Sequence, residues 1–138
     1  MNKFNFDEIS ARFEKVKIEL PKIIANDTKN YFVESFNKQQ WDGKAWEPRK
    51  DKKDEGRKLL VKSARLRNDL INSNKSATWQ SIKFTIDNPY AQVHNDGLKS
   101  GRGSGFTMPK RQFVGHTKEL TKRQLNKIKS YMKRVWQQ

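Results

Sequence analysis

The stretch QWDGKAWEPRK, residues 40–50, divides the chain. It sets two of the four tryptophans, Trp41 and Trp46, on either side of Gly43 in an otherwise polar sequence. Neither falls into a helical or strand period, so the spacing predicts a loop. Glycine lets the backbone take a positive φ, and a turn at Asp42-Gly43 brings both indoles to the same side. Large amphipathic rings in a loop either pin it to its own core or anchor it in a partner. On both readings Trp41, Gly43, Trp46 and Pro48 are the anchors of the loop.

Upstream of it, Ile9, Phe13, Val16 and Leu20 recur at helical spacing. Pro21 interrupts the stripe, because proline lacks an amide donor and crowds the preceding turn. Ile24, Thr28, Tyr31, Phe32, Ser35 and Phe36 then resume it. The pattern predicts a helical arm over 1–38, as two stacked pieces or one bent helix. Gly43, Pro48, Gly56 and the mixed-charge run 49–58 mark 39–58 as the loop.

Downstream, 59–138 reads as an α+β core within the same single domain, 1–138. Ser63 is placed to cap a short helix carrying Leu66 and Leu70. Thr78–Ile86 reads as a strand, with Ile82, Phe84 and Ile86 inward and Ser81, Lys83 and Thr85 outward. Asn88-Pro89 is a helix-start signal, and Tyr90–Asn95 then makes about two turns that stop near Gly97. Four of the seven glycines lie in 97–109, which reads as a mobile loop. Arg111–Gly115 reads as a returning strand. The last helix starts at Thr117, and Leu120, Leu125, Ile128, Tyr131, Met132 and Val135 share one side of it. Lys118, Lys122, Arg123, Lys127, Lys129, Lys133 and Arg134 take the other side, as a polyanion-facing surface. The expected architecture is a long N-terminal helical arm, a small antiparallel sheet, and an amphipathic C-terminal helix packed on that sheet. Phe84, Tyr90 and Phe113 are expected in the core beneath that helix.

The net charge of +15 is unevenly spread. Residues 1–48 carry eight basic and eight acidic groups, whereas 99–138 carry eleven basic groups and one acid, Glu119. The surplus at one end points to a polyanion or an acidic protein surface. Hydrophobic residues make up only 33% of the chain, so the core is thin and part of the apolar surface is expected to meet another chain.

Without cysteine there is neither a disulfide nor a thiolate metal site. The opening MNKFNFDEIS lacks a signal-peptide apolar run, and no stretch reaches the length that crosses a bilayer. A cytoplasmic origin without membrane contact is expected. His94 and His116 are the only histidines, too few and too far apart to argue for a metal site. His94 is expected to hydrogen-bond locally. Asp51, Asp54 and Glu55 are interleaved with lysines rather than convergent, and no catalytic motif is present. GRGSG (101–105) lacks the Lys-Ser/Thr ending of a phosphate loop. No catalytic residue, metal or cofactor is expected.

Four stretches together resemble the phage virion morphogenesis family, the tail-completion proteins of Mu-like and P2-like tailed phages. WDGKAWEP (41–48) is similar to its tryptophan–glycine–tryptophan–proline loop, and LLVKSARLRNDL (59–70) to its Leu-Leu, Ser-x-x-Leu segment. NPYAQVHNDG (88–97) is similar to its Tyr-Ala-x-x-His-x-x-Gly element, and PKRQFVGHT (109–117) to its Arg-x-Phe-hydrophobic-Gly stretch. The motif residues are Leu66, Tyr90, Ala91, His94, Gly97, Arg111, Phe113 and Gly115. Ala64 and Gln112 depart from the glycine and proline usual there. The resemblance implies a non-enzymatic virion protein that completes the tail or joins it to the head, found in the host bacterial cytoplasm during assembly and then at the virion neck. It also implies copies of itself in a ring, often hexameric, and tail and head-neck proteins as partners. Non-specific contact of the basic helix with phage DNA is a separate inference from its charge. The alternative function is a sequence-independent basic DNA-binding protein acting outside any virion. Steep salt dependence of DNA affinity would mark it.

Overall fold

A computed structural model describes residues 5–48, 65–100 and 106–137. Ser63, the acidic trio Asp51, Asp54 and Glu55, and the GRGSG stretch lie outside them.

Helix α1 spans Phe6–Lys38 without a break. Asn5 caps it, its side-chain oxygen accepting from the amides of Asp7 (3.0 Å) and Glu8 (3.3 Å). Those two acids in the first turn also suit the positive end of the helix dipole. Gln39 ends the helix in the left-handed region, φ 55°. Pro21 is buried inside the helix rather than dividing it. One lost amide bond does not break a helix whose apolar side is seated along its length.

The predicted loop after α1 begins as a hairpin. Strands β1 (Gln40–Trp41) and β2 (Lys44–Ala45) pair antiparallel across the two-residue turn Asp42-Gly43. Both turn residues have positive φ, 51° and 76°, as a primed hairpin turn requires. The turn was expected from the sequence; the strands flanking it were not, because two residues are too few to show alternation.

Helix α2 (Arg65–Ile71) buries Leu66 and Leu70 as expected. A second hairpin joins β3 (Asn74–Ala77) to β4 (Ile82–Thr85), with Ala77 opposite Ile82 and Asn74 opposite Thr85. The predicted strand over 78–86 is therefore shorter. Its first residues form the turn, where the Thr78 amide donates to the Ser81 carbonyl at 2.8 Å. Ile82, Phe84 and Ile86 do alternate inward.

Helix α3 (Ala91–Asp96) follows an Asx turn, the Asn88 side-chain oxygen accepting from the Tyr90 amide at 2.8 Å. It stops at Gly97, φ 67°. Strands β5 (Lys99–Ser100) and β6 (Phe106–Thr107) flank 101–105 as a third hairpin. Residues 111–115 are not the expected strand. Both the Phe113 and Val114 amides donate to the side-chain oxygen of Asn95, at 3.0 and 3.1 Å, so no strand partner takes them. Gly97 is fixed twice. Its φ is left-handed, and an added Cβ would stand 2.9 Å from Lys110 Cβ. Gly97→Ala is expected to lower stability by about 1–3 kcal/mol, read as a fall in the urea midpoint at unchanged slope.

Helix α4 (Lys118–Trp136) is capped by Thr117, whose hydroxyl accepts from the Leu120 amide at 3.0 Å. The fold is α+β as expected, and α4 packs mainly on α1, with Ile82 of β4 against the cluster the two helices share. The described strands form three separate two-stranded hairpins, and α4 runs antiparallel along α1. Val135 meets Arg12, Tyr131 meets Glu19, Arg123 meets Asp27, and Thr117 meets Tyr31. A narrow two-residue or four-residue ribbon offers too little apolar face to seat a helix. The long apolar stripe of α1 offers enough.

Two apolar clusters result. One joins Val16, Leu20 and Ile24 of α1 to Tyr131 of α4, with Ile82, Ile128, Met132 and Val135 against it. The other gathers Tyr31, Phe32 and Phe36 with Trp46, Leu66, Leu70, Phe113 and Leu120. Phe84 packs on this second cluster and Phe113 is fully buried in it. Tyr90, expected in the core, is 59% exposed, because it precedes the first turn of a helix too short to turn it inward.

Candidate assembly surfaces

The resembling stretches converge on one junction. Phe36 stands at its centre, its ring 5.6 Å from that of Trp46 and 5.3 Å from that of Phe113. The Trp46 indole N–H donates to the Gln112 carbonyl at 2.9 Å. The buried Arg111 returns the link, its Nε and Nη2 donating to the Glu47 carbonyl at 3.1 and 2.9 Å. Tryptophan loop and 109–117 stretch thus hold each other by side chain to backbone in both directions. Arg111 also ties back to α3 through its amide, which donates to the His94 carbonyl at 2.9 Å. Leu66 adds its side chain from α2, and Ala91 from α3.

Trp41 sits half-buried on the α1 side of the junction, against the rings of Tyr31 and Phe32 at 5.8 and 6.1 Å. Both indoles are therefore turned to their own core, as the Asp42-Gly43 turn predicts. Gly115, φ 145°, lies beneath Trp41, where a Cβ would stand 3.5 Å from the indole. Pro48 is exposed. Asn95 was not singled out from the sequence, and Gln112 was noted only as a departure from proline, yet both carry hydrogen bonds of the junction. A polar residue between motif positions carries no periodic signal.

His94 departs from its expectation. Its ring Nδ1 is buried and has no hydrogen-bond partner among the described residues. Burial pushes its pKa below the usual 6.5, and the Arg111 charge adds to the effect. A histidine that resists protonation only when folded contributes stability that is present at neutral pH and falls away as pH drops through 6.5. The urea midpoint is expected to decline between about pH 7.5 and pH 5.5, and His94→Gln to flatten that decline. An equal slope in the variant would remove His94 as its cause. His116 is exposed.

The second surface is the outer side of α4. Lys118, Lys122, Lys127, Lys129, Lys133 and Arg134 are exposed, as the helical wheel predicts. Arg123 is the exception. It turns to α1, chelating Asp27 with Nε and Nη2 (3.1–3.2 Å) and Glu34 with Nη1 (3.0 Å). Desolvation acts to lower its pKa, but the hydrogen bonds and charges of Asp27 and Glu34 outweigh this and the net direction is upward. Arg123 is thus a structural cation and leaves the free basic face. Among the expected apolar positions, Leu125 is half-exposed, while Leu120 and Tyr131 are buried.

The fold and these surfaces define a small, strongly basic α+β protein whose motif residues fix a structural junction. The model of the phage virion morphogenesis family matches residues 7–133, and the chain belongs to that family. It is a phage assembly protein associated with the virion. No curated protein and no solved structure gives a significant match. No helix of the described residues is long and apolar enough to cross a membrane.

Proposed function

We propose that this chain is a non-catalytic structural subunit that completes the phage tail and joins it to the head through ring-type contacts between copies, six by analogy with neck proteins. It assembles in the host bacterial cytoplasm and remains at the virion neck, in contact with tail and head-neck proteins. The observation that carries this reading is the apolar surface left outside. In a chain with 33% hydrophobic residues, Phe6, Ile18, Tyr90 and Trp79 are each more than half exposed. Trp79, at the turn of the β3–β4 hairpin, lines an open groove with Leu20, Pro21, Ile24, Ile82 and Ile128. An exposed tryptophan beside an apolar groove of this kind is what a sister subunit covers in a closed ring.

Light scattering tests it. The purified chain, alone or with tail tubes, is expected at a multiple of its 16.3 kDa mass. Trp79→Asp is expected to fold normally, since the side chain is exposed, and to return the mass toward one copy. A monomer under both conditions, together with normal head–tail joining by phage lacking the protein, would overturn the reading.

A further inference from the structure

The lysines of α4 are not evenly scattered. At 100° per residue, Lys118, Lys122, Lys129 and Lys133 fall within about 60° of the helix circumference and run about 22 Å along its axis. All four are exposed, and none forms an ion pair with another described residue. The acids that face α4 from α1 are already engaged: Asp27 and Glu34 by Arg123, and Glu19 by the Tyr131 hydroxyl. Glu119 is the one acid on α4 itself, and it belongs to the first turn. The row is therefore uncompensated positive charge on a rigid support.

We propose that this lysine row seats the phosphate backbone of duplex DNA, without reading sequence. Three features favour DNA over an acidic protein. Lysine is depleted at the centres of protein–protein contacts, where burial strips its ammonium of water. Leu125, the apolar side chain beside the middle of the row, is half-exposed and too small by itself to form the dry centre such a contact needs. Flexible ammonium groups about 6 Å apart at i, i+4 spacing suit a polyanion with one charge per about 1.7 Å of axis. Lysine presents a compact, hydrated point charge rather than a planar fork, which suits contact with phosphate.

The test is fluorescence polarisation of full-length protein on short duplexes of unrelated sequence. With four phosphates neutralised, affinity is expected to fall about 100-fold between about 50 and 200 mM salt, and to be alike for all duplexes. Replacing the four lysines with glutamine should flatten the log–log salt slope by about 3 to 4, and each single Lys→Gln by about 0.9. The quadruple Lys→Arg variant should retain binding. Circular dichroism and light scattering on the same variants are expected to match the unaltered chain, which separates this result from the ring reading. No binding at about 50 mM salt, or an unchanged slope in the glutamine variant, would overturn the assignment. So would lysine-dependent binding of polyglutamate that DNA does not displace, which would place an acidic protein on the row instead.

Discussion

Trp46→Ala is expected to cost about 3–5 kcal/mol of unfolding free energy, the range for removing a large buried aromatic. The indole is 6% exposed, and Phe36 and Phe113 beside it are fully buried. Truncation opens a cavity where α1, the tryptophan loop and the 109–117 stretch meet, and these are too firmly tied to collapse into it. It also strands the Gln112 carbonyl. For a domain whose whole stability is about 5–15 kcal/mol, the loss brings the variant close to unfolding at growth temperature. Trp46→Phe separates the two contributions. The edge-to-face contact with Phe36 survives and the hydrogen bond does not, so a loss of about 1–2 kcal/mol is expected. Urea titration followed by circular dichroism measures both. A loss below about 1 kcal/mol for the alanine variant would show that the junction is not what holds the loop.

Arg123→Met is the second large effect. Arg123 is 30% exposed as a side chain and Asp27 only 8%, whereas Glu34 is 37% exposed. Removing the guanidinium leaves the Asp27 carboxylate buried without its cation, while Glu34 recovers water. Breaking a fully buried pair costs about 3–5 kcal/mol. With one partner partly wet, about 2–4 kcal/mol is expected here. Asp27→Asn in the same chain removes the stranded charge, and the double variant should regain about 1–3 kcal/mol over Arg123→Met. Strict additivity of the two substitutions would deny the coupling. The Arg123–Asp27 pair and the adjacent Gln124–Thr28 bond, 2.9 Å, form a polar layer between the two apolar clusters. Sliding α4 by one turn along α1 would break both, so the layer selects a single register, as a buried polar position does in a coiled coil.

The long-period elements were legible before any coordinates. Pro21 pointed to a bend in α1, but the stripe from Val16 to Phe36 is continuous, and burial follows it. Thr117 announces α4 for the same reason. What remained hidden was pairing. Asn74–Ala77 is polar and almost wholly exposed, so nothing but its partner β4 makes it a strand. Arg123 looks on a wheel like its neighbours Lys122 and Lys127, and only Asp27 and Glu34, far away in sequence, withdraw it from the basic face. The main seat of α4, on α1, was not legible because amphipathicity shows that a helix has an inner side, not what lies under it. Of the candidate residues, the tryptophans, Arg111 and Phe113 come together at one junction. Asn95, which binds it, lacked any sequence signal, and Gln112 stood out only as a departure from proline.

The α1–α4 pairing has a consequence for synthesis. The first helix of the described chain finds its main cover in the last, with the rings of Phe13 and Trp136 edge to face at 5.3 Å. A ribosome delivers that cover only after everything between them, so α1 waits with its greasy stripe bare. Contacts so distant along the chain form late and slowly. A nascent product that stops short of residue 118 lacks that cover, and the apolar stripe of α1 stays exposed.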